Sequence, residues 1–178
     1  MVTAKTQYNL KNAREYFEEH LCVGDYYNEG QRVSGEWIGL GTERLGLSGK
    51  VRADDFLRLC ENQNPSTGET LTQRLNTTRT EGGESAANRR IFYDFTFSPP
   101  KSVSIAGFLG KDERILEAHA RAVRTALREF EAFAATRVRA SGAQIDRLTR
   151  NFAAALFTHD TSRALDPHLH THCIVFNA

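Results

Sequence analysis

The stretch LTRNFAAALFTHDTSRALDPHLHTHCIVFN (148–177) decides how the rest of the chain is read. Two runs rich in apolar and β-branched residues, 148–160 and 168–177, flank the turn-forming segment TSRALDP. They predict two strands joined by a short loop, and hence an antiparallel pair. Four of the six histidines, His159, His168, His170 and His172, fall in this stretch. Residues two apart on a strand share a face. His170 and His172 therefore point the same way, Thr171 points the opposite way, and a simple hairpin brings His159 beside them from the neighbouring strand. Three neutral imidazoles on one face are a ligand set for a divalent transition metal, and three protein ligands leave a position open for water or a substrate oxygen. His168 shares the parity of His170, so strand geometry alone does not exclude it. Cys173 falls on the opposite face.

Working outward, the 178 residues suit one domain with a sizeable core. No run approaches the roughly 20 apolar residues of a membrane span. The opening MVTAKTQYNLKNAREYF lacks the apolar centre of a signal peptide. Cys22, Cys60 and Cys173 are odd in number and scattered, which argues against a disulfide framework and suits a reducing compartment. The expected setting is the cytoplasm, without membrane insertion. A net charge of +1 excludes no class of partner, because a neutral total can hide a basic face.

Upstream, VTAKTQ (2–7) reads as a short strand and NLKNAREYFEEHL (9–21) as a helix with Leu10, Ala13, Phe17 and Leu21 on one side. VRADDFLRLCE (51–61) is a second short helix, opened by Ala53 or Asp54. From 62 to 90 the chain is polar, a long surface excursion flanking or interrupted by a weak strand. RIFYDFTFS (90–98) alternates as a strand, with Ile91, Tyr93, Phe95 and Phe97 on one face and Phe92, Asp94 and Thr96 on the other. SPPKSVS starts a helix with Ser98 as its cap and Lys101 in its first turn, where backbone N–H groups favour anions. Lys101 reads as a phosphate contact or as a solvated lysine. Residues 111–136 form the longest helix, with the stripe Leu116, Val123, Leu127, Phe130 and Ala134, and with His119 as a packing or boundary residue beside it. These pieces give an α+β fold: a central antiparallel sheet holding Asp94 and the histidines on one face, with helices packed on one face or flanking it.

The segment HDTSRALDPHLHTH (159–172) resembles the metal-binding motif of the MobF-type conjugative relaxases, members of the HUH class of single-strand DNA endonucleases. YDFTFSPPKSVS (93–104) resembles that family's D-L-T-F-S-A-P-K-S-V-S block. YFEEHLCVGDYY (16–27), followed by GLGTERLGLSGKV (39–51), resembles its amino-terminal tyrosine region and the segment after it. The blocks keep the family's order and span most of the chain. The resemblance implies that His159, His170 and His172 are the metal ligands and that His168, where relatives usually carry glutamine, is a neighbour. It implies that Tyr16 is the principal nucleophile, that Tyr26 and Tyr27 form the second tyrosine pair, with one member acting in a later transfer step, and that Asp94 is the acidic residue of the site. Phe17 stands where many relatives have a tyrosine, and the spacer from Tyr16 to Tyr26 is longer than in the best-known members.

The activity so implied is site- and strand-specific nicking and rejoining of DNA at a plasmid transfer origin during conjugation, through a 5′-phosphotyrosyl intermediate. The implied cofactor is one divalent ion, Mg2+ or Mn2+, with Zn2+ and Ni2+ also suited to imidazole. The implied partners are single-stranded DNA at the origin and accessory relaxosome proteins, the chain itself being a monomer. A phenol with a pKa of about 10 needs activation to attack phosphorus. Asp94 would take the proton of Tyr16, or hold a ligand histidine by its other ring nitrogen. Tyr26 and Tyr27 equally suit base stacking. Arg163 would meet the DNA backbone or pair with Asp160 or Asp166. Two other readings compete: a metal-dependent hydrolase or phosphodiesterase using an activated water, and a single-strand binding module with a structural metal. Residues 1–178 are expected to be the amino-terminal part of a relaxase domain, with the carboxyl-terminal remainder and any helicase domain outside this sequence.

Overall fold

Nine strands and five helices are found among residues 1–22, 33–81, 84–140, 143–162 and 164–177, which are the residues described by the structure, a computed structural model. The strands are β1 (Val2–Gln7), β2 (Glu36–Ile38), β3 (Thr78–Glu81), β4 (Glu84–Ala87), β5 (Phe92–Phe97), β6 (Ala135–Ala140), β7 (Ala143–Leu148), β8 (Ala154–Thr161) and β9 (Pro167–Phe176). The helices are α1 (Leu10–Tyr16), α2 (Leu40–Arg44), α3 (Ala53–Cys60), α4 (Lys101–Phe108) and α5 (Glu113–Ala132). One wide turn of π type, Phe17–Leu21, continues α1.

The hairpin read from the histidine stretch is present. His159 lies opposite His170 and Phe157 opposite His172, and the register shifts only beyond His159, toward Thr161. Strand β9 is central in a five-stranded sheet of order β1-β5-β9-β8-β2, in which every neighbouring pair is antiparallel. Directly opposed residues of an antiparallel pair share a face. Asp94 faces Ile174 across the ladder and Thr96 faces His172. One face therefore carries Phe92, Asp94, Thr96, Phe157, His159, His170, His172, Ile174 and Phe176.

The α+β class is as the sequence implies, but the layering is richer. Helices α4 and α5 cover the back face over Phe97, Val123, Leu127, Leu156 and Cys173. Helices α1 and α3 cover half of the histidine face as well, closing over Phe17, Phe56, Phe92, Phe157 and Phe176. The reason lies in β5. Phe92, on the same side as Asp94, is 1% exposed, so that side of the strand is apolar at one end and polar at the other. A strand buried on both sides loses the clean alternation that identifies a single core face.

Three local expectations are corrected. Ser98 does not cap α4; its N–H donates to the carbonyl of Met1 and its carbonyl accepts from the amino terminus, which extends the β1–β5 ladder, and α4 follows Pro100. The long helix ends at Ala132, and β6 and β7 pair with each other as a separate antiparallel two-stranded sheet, so the strand expected from 148 starts at Ala154. The polar excursion contains an antiparallel strand pair, β3–β4.

Arg89, in that excursion, is 1% exposed. Its guanidinium donates to the carbonyls of Leu59 and Cys60 at the end of α3, to Asn76 Oδ1, and to the carbonyl of Asn177 beyond β9, at 2.8 to 3.4 Å. A buried cation is costly unless its donors are matched, and helix C-terminal carbonyls favour positive charge. Burial lowers the pKa of Arg89 below its usual value. Arg89→Met should destabilise the chain by about 3 kcal/mol, because several carbonyls lose their donor at once. Arg89→Lys should recover only part of this, since one ammonium cannot span the acceptors. Urea midpoints of the two variants check both expectations.

Candidate active site

Tyr16 owes its position to the core beneath it. Helix α1 is capped by Asn9, whose side chain accepts from the Asn12 N–H at 3.1 Å, and Ala13, Phe17 and Leu21 are buried against the sheet. Tyr16 stands where the helix widens into the π turn, a feature that gathers at functional sites. Its Oη donates to Asp94 Oδ2 at 2.6 Å and lies 3.4 Å from His172 Nδ1. Phe17 turns the other way. It is 5% exposed, with its ring stacked on Phe56 at 4.3 Å, so position 17 serves the core and not the site.

Asp94 is 4% exposed, and its two oxygens lie 3.0 and 2.9 Å from His172 Nδ1. An ionised carboxylate only accepts, so this pairing assigns the proton of His172 to Nδ1 and leaves the ring's lone pair on Nε2. The carbonyl of His168 assigns the same tautomer to His170, whose Nδ1 lies 2.9 Å away. Burial pushes the pKa of His170 down to about 4, so this imidazole is neutral near pH 7, the form that binds metal.

The ring centres of His159, His170 and His172 are separated by 5.2, 5.6 and 5.1 Å. An ion–nitrogen distance of about 2.1 Å puts a ring centre roughly 3.2 Å from the ion, so imidazoles sharing one ion at angles of about 90–110° have centres about 4.6–5.3 Å apart. The His159–His170 and His170–His172 separations fall in that range, and the His159–His172 separation, 5.6 Å, lies just beyond it. Among the described residues, no group of three or more His, Cys, Asp or Glu side chains has its donor atoms placed to hold a metal ion. The donor atoms swing with χ2, whereas a ring centre lies close to the Cβ–Cγ axis and stays in place. The backbone register sets the centres and brings the three imidazoles together on one face of the sheet.

His168 stacks on His170 with centres 4.7 Å apart. Lys101 occupies the first turn of α4 as read, with its Nζ 3.5 Å from Asp166 Oδ2, both side chains about half exposed. His119 lies within 3.0 Å of Thr171 Oγ1 on the back face, at the boundary expected for it. Cys173 is buried on that face, where burial raises its thiol pKa and keeps it protonated. Tyr26, Tyr27 and Arg163 lie outside the described residues. Two neighbours escaped the sequence reading. Thr96 Oγ1 is 3.1 Å from His172 Nδ1 and 3.4 Å from Asp94 Oδ1, and its parity with Asp94 on β5 was the available signal. The His20 ring centre is 5.3 Å from that of Tyr16, four residues along the same helix.

A helix-borne phenol facing three histidines and a carboxylate on an antiparallel sheet defines a site of the HUH endonuclease type. The family model described as TrwC relaxase matches residues 10–178, and the chain belongs to this family. The multifunctional conjugation protein TraI of Escherichia coli is 43% identical over 161 residues, and that of Escherichia coli strain K12 is 42% identical over 162. These matches cover 87% of this chain but 9% of TraI. Solved structures of the conjugative relaxase TrwC align over 99% of the chain and 55% to 57% of theirs. The metal-bound complex with oriT DNA gives a TM-score of 0.77 at 35% identity, and the copper-bound complex 0.78 at 34%. A TrwC complex with a 27-mer comprising the recognition hairpin and the cleavage site gives 0.74 at 32%.

Replacing His159, His170 or His172 by alanine should each weaken Mn2+ binding by more than about 100-fold, the upper range for loss of a supporting partner alone. His168→Gln should change it by less than about tenfold. Titration calorimetry on the four variants checks the assignment.

Proposed function

We propose that this chain nicks and rejoins one strand of DNA at a plasmid transfer origin by transesterification onto Tyr16, assisted by a divalent ion held by His159, His170 and His172. The observation that carries the reading is the contact of Tyr16 Oη with Asp94 and His172, which brings a phenol to the edge of the three-histidine cluster. The TrwC complexes with oriT DNA, metal-bound and copper-bound, support the substrate and the binding of an ion. A divalent ion at such a site polarises a non-bridging phosphate oxygen and neutralises developing charge. Mg2+ or Mn2+ is the proposed ion, with Zn2+ and Ni2+ as alternatives that imidazole also suits.

In this mechanism Asp94 Oδ2 takes the phenolic proton as Tyr16 Oη attacks phosphorus. The Oη–P bond forms and the P–O3′ bond breaks, its electron pair leaving with the 3′ oxygen, which gains a proton from solvent. The product is a 5′-phosphotyrosyl link. It conserves the phosphodiester bond, so the 3′-hydroxyl can reverse the step without ATP. The same carboxylate orients His172, so the two roles considered for Asp94 fall to one group. Tyr16 in this position, together with the family membership, favours transfer over the hydrolase reading.

The proposal extends to partners and context. Single-stranded origin DNA is the substrate, accessory relaxosome proteins assist, and the chain acts as a monomer in the cytoplasm. Among the described residues no helix is long and apolar enough to cross a membrane. Residues 1–178 act as the amino-terminal part of a relaxase domain, a reading supported by their 55% to 57% coverage of the TrwC chains. Lys101 exchanges Asp166 for a DNA phosphate, Arg163 contacts the backbone, and Tyr26 serves a later transfer step.

A labelled oligonucleotide carrying the origin, incubated with the chain and Mn2+, should give a retarded band that survives a denaturing gel. Tyr16→Phe should abolish that band, and Asp94→Asn should slow its formation by about 100-fold or more. Free cleaved product without an adduct would establish the hydrolase instead.

A further inference from the structure

The Asp94 carboxylate serves two clients, and only one of them needs a particular oxygen. Of the two carboxylate oxygens, Tyr16 Oη donates to Oδ2, at 2.6 Å. His172 Nδ1 sits almost equally far from Oδ1 and Oδ2, at 3.0 and 2.9 Å, so this pairing does not choose between them. The terminal torsion of aspartate is broad and roughly two-fold. A half-turn merely exchanges two equivalent oxygens, but a partial rotation would carry the nearer oxygen off the Tyr16 phenol while His172 Nδ1 stays within reach of the carboxylate.

Among the described residues, Thr96 supplies the asymmetry. It lies two positions along β5 from Asp94, on the same face, with its Cα paired to His172 across the ladder. Its Oγ1 is 3.1 Å from His172 Nδ1 and 3.4 Å from Asp94 Oδ1. Because His172 Nδ1 carries its own proton, the threonine hydroxyl proton is available to Oδ1. A β-branched side chain on a strand is stiff at χ1, so this hydroxyl is held and does not search. We propose that Thr96 is a positioning residue: its hydroxyl holds Oδ1 of Asp94 and the Nδ1 edge of His172, which keeps Oδ2 aimed at the phenol of Tyr16. This role rests on the reading of Tyr16 as nucleophile and adds a group that the motif comparison does not assign.

Thr96→Val keeps shape and removes the hydroxyl, whereas Thr96→Ser keeps the hydroxyl. With the full chain, Thr96→Val should slow single-turnover adduct formation by about tenfold to 100-fold, the usual cost of losing a supporting partner, with KM for the oligonucleotide unchanged. Thr96→Ser should stay within about threefold of the parent, well inside that range. In an Asp94→Asn background the valine change should have almost no further effect, because the two residues act as one unit. Mn2+ alone, titrated calorimetrically, should bind Thr96→Val about tenfold more weakly. Parental rates in Thr96→Val, or an equal loss with and without Asp94, would overturn the proposal. So would a loss in Thr96→Val that Thr96→Ser does not repair, which marks a folding defect. Should the parent form no adduct, the function reading fails first, and the Mn2+ titration still decides on Thr96: unchanged affinity in Thr96→Val refutes it.

Discussion

The Asp94 carboxylate is the constraint on which the site depends. A buried carboxylate costs several kcal/mol unless donors surround it. Its donors here come from three separate places: Tyr16 at the end of α1, His172 in the middle of β9, and Thr96 on its own strand. Satisfying that one group fixes the direction of the phenol, the tautomer of an imidazole and the distance between helix and sheet. The chemistry proposed for the site uses the same contacts that make the burial of Asp94 tolerable.

The rest of the molecule serves to hold α1 at that distance. Aromatic rings fill the space between α1, α3 and the sheet, with Phe56 at their centre, 4.3 Å from Phe17 and 5.0 Å from Phe176. Burying a side chain such as Phe17 contributes roughly 1.5–3 kcal/mol, so the helix is anchored through Phe17 while its neighbour Tyr16 is left to face the polar end of the sheet. Adjacent positions on a helix point about 100° apart, and here that angle separates core from site. Arg89 secures the far side of the same unit by tying the end of α3 to the residue after β9.

Charge at the site follows from burial as well. Desolvation keeps His170 neutral and ready to ligate, and it lowers the pKa of His168 as well, with Lys101 adding to the effect. The same desolvation raises the pKa values of the Cys60 and Cys173 thiols, which stay protonated and inert. Neutral nitrogen donors leave a cation's full charge for a phosphate, which carboxylate ligands would partly cancel.

By itself the sequence determined whatever has a short period. The parity of His170 and His172, the hairpin that brings His159 to them, and the side of β5 that carries Asp94 and Thr96 all follow from the two-residue repeat of a strand. The motifs then pointed to Tyr16. Only the tertiary structure decided which partners meet across long separations: Tyr16 with Asp94, 78 residues away, and with His172, 156 away. It also decided that Phe92 is core although it shares a side with Asp94, that Arg89 in a polar excursion is buried, and that β6 and β7 pair with each other instead of extending a helix and a strand. Local periodicity tells which way a side chain points from its own backbone. What stands opposite is set by burial of the whole chain, and no window of sequence contains it.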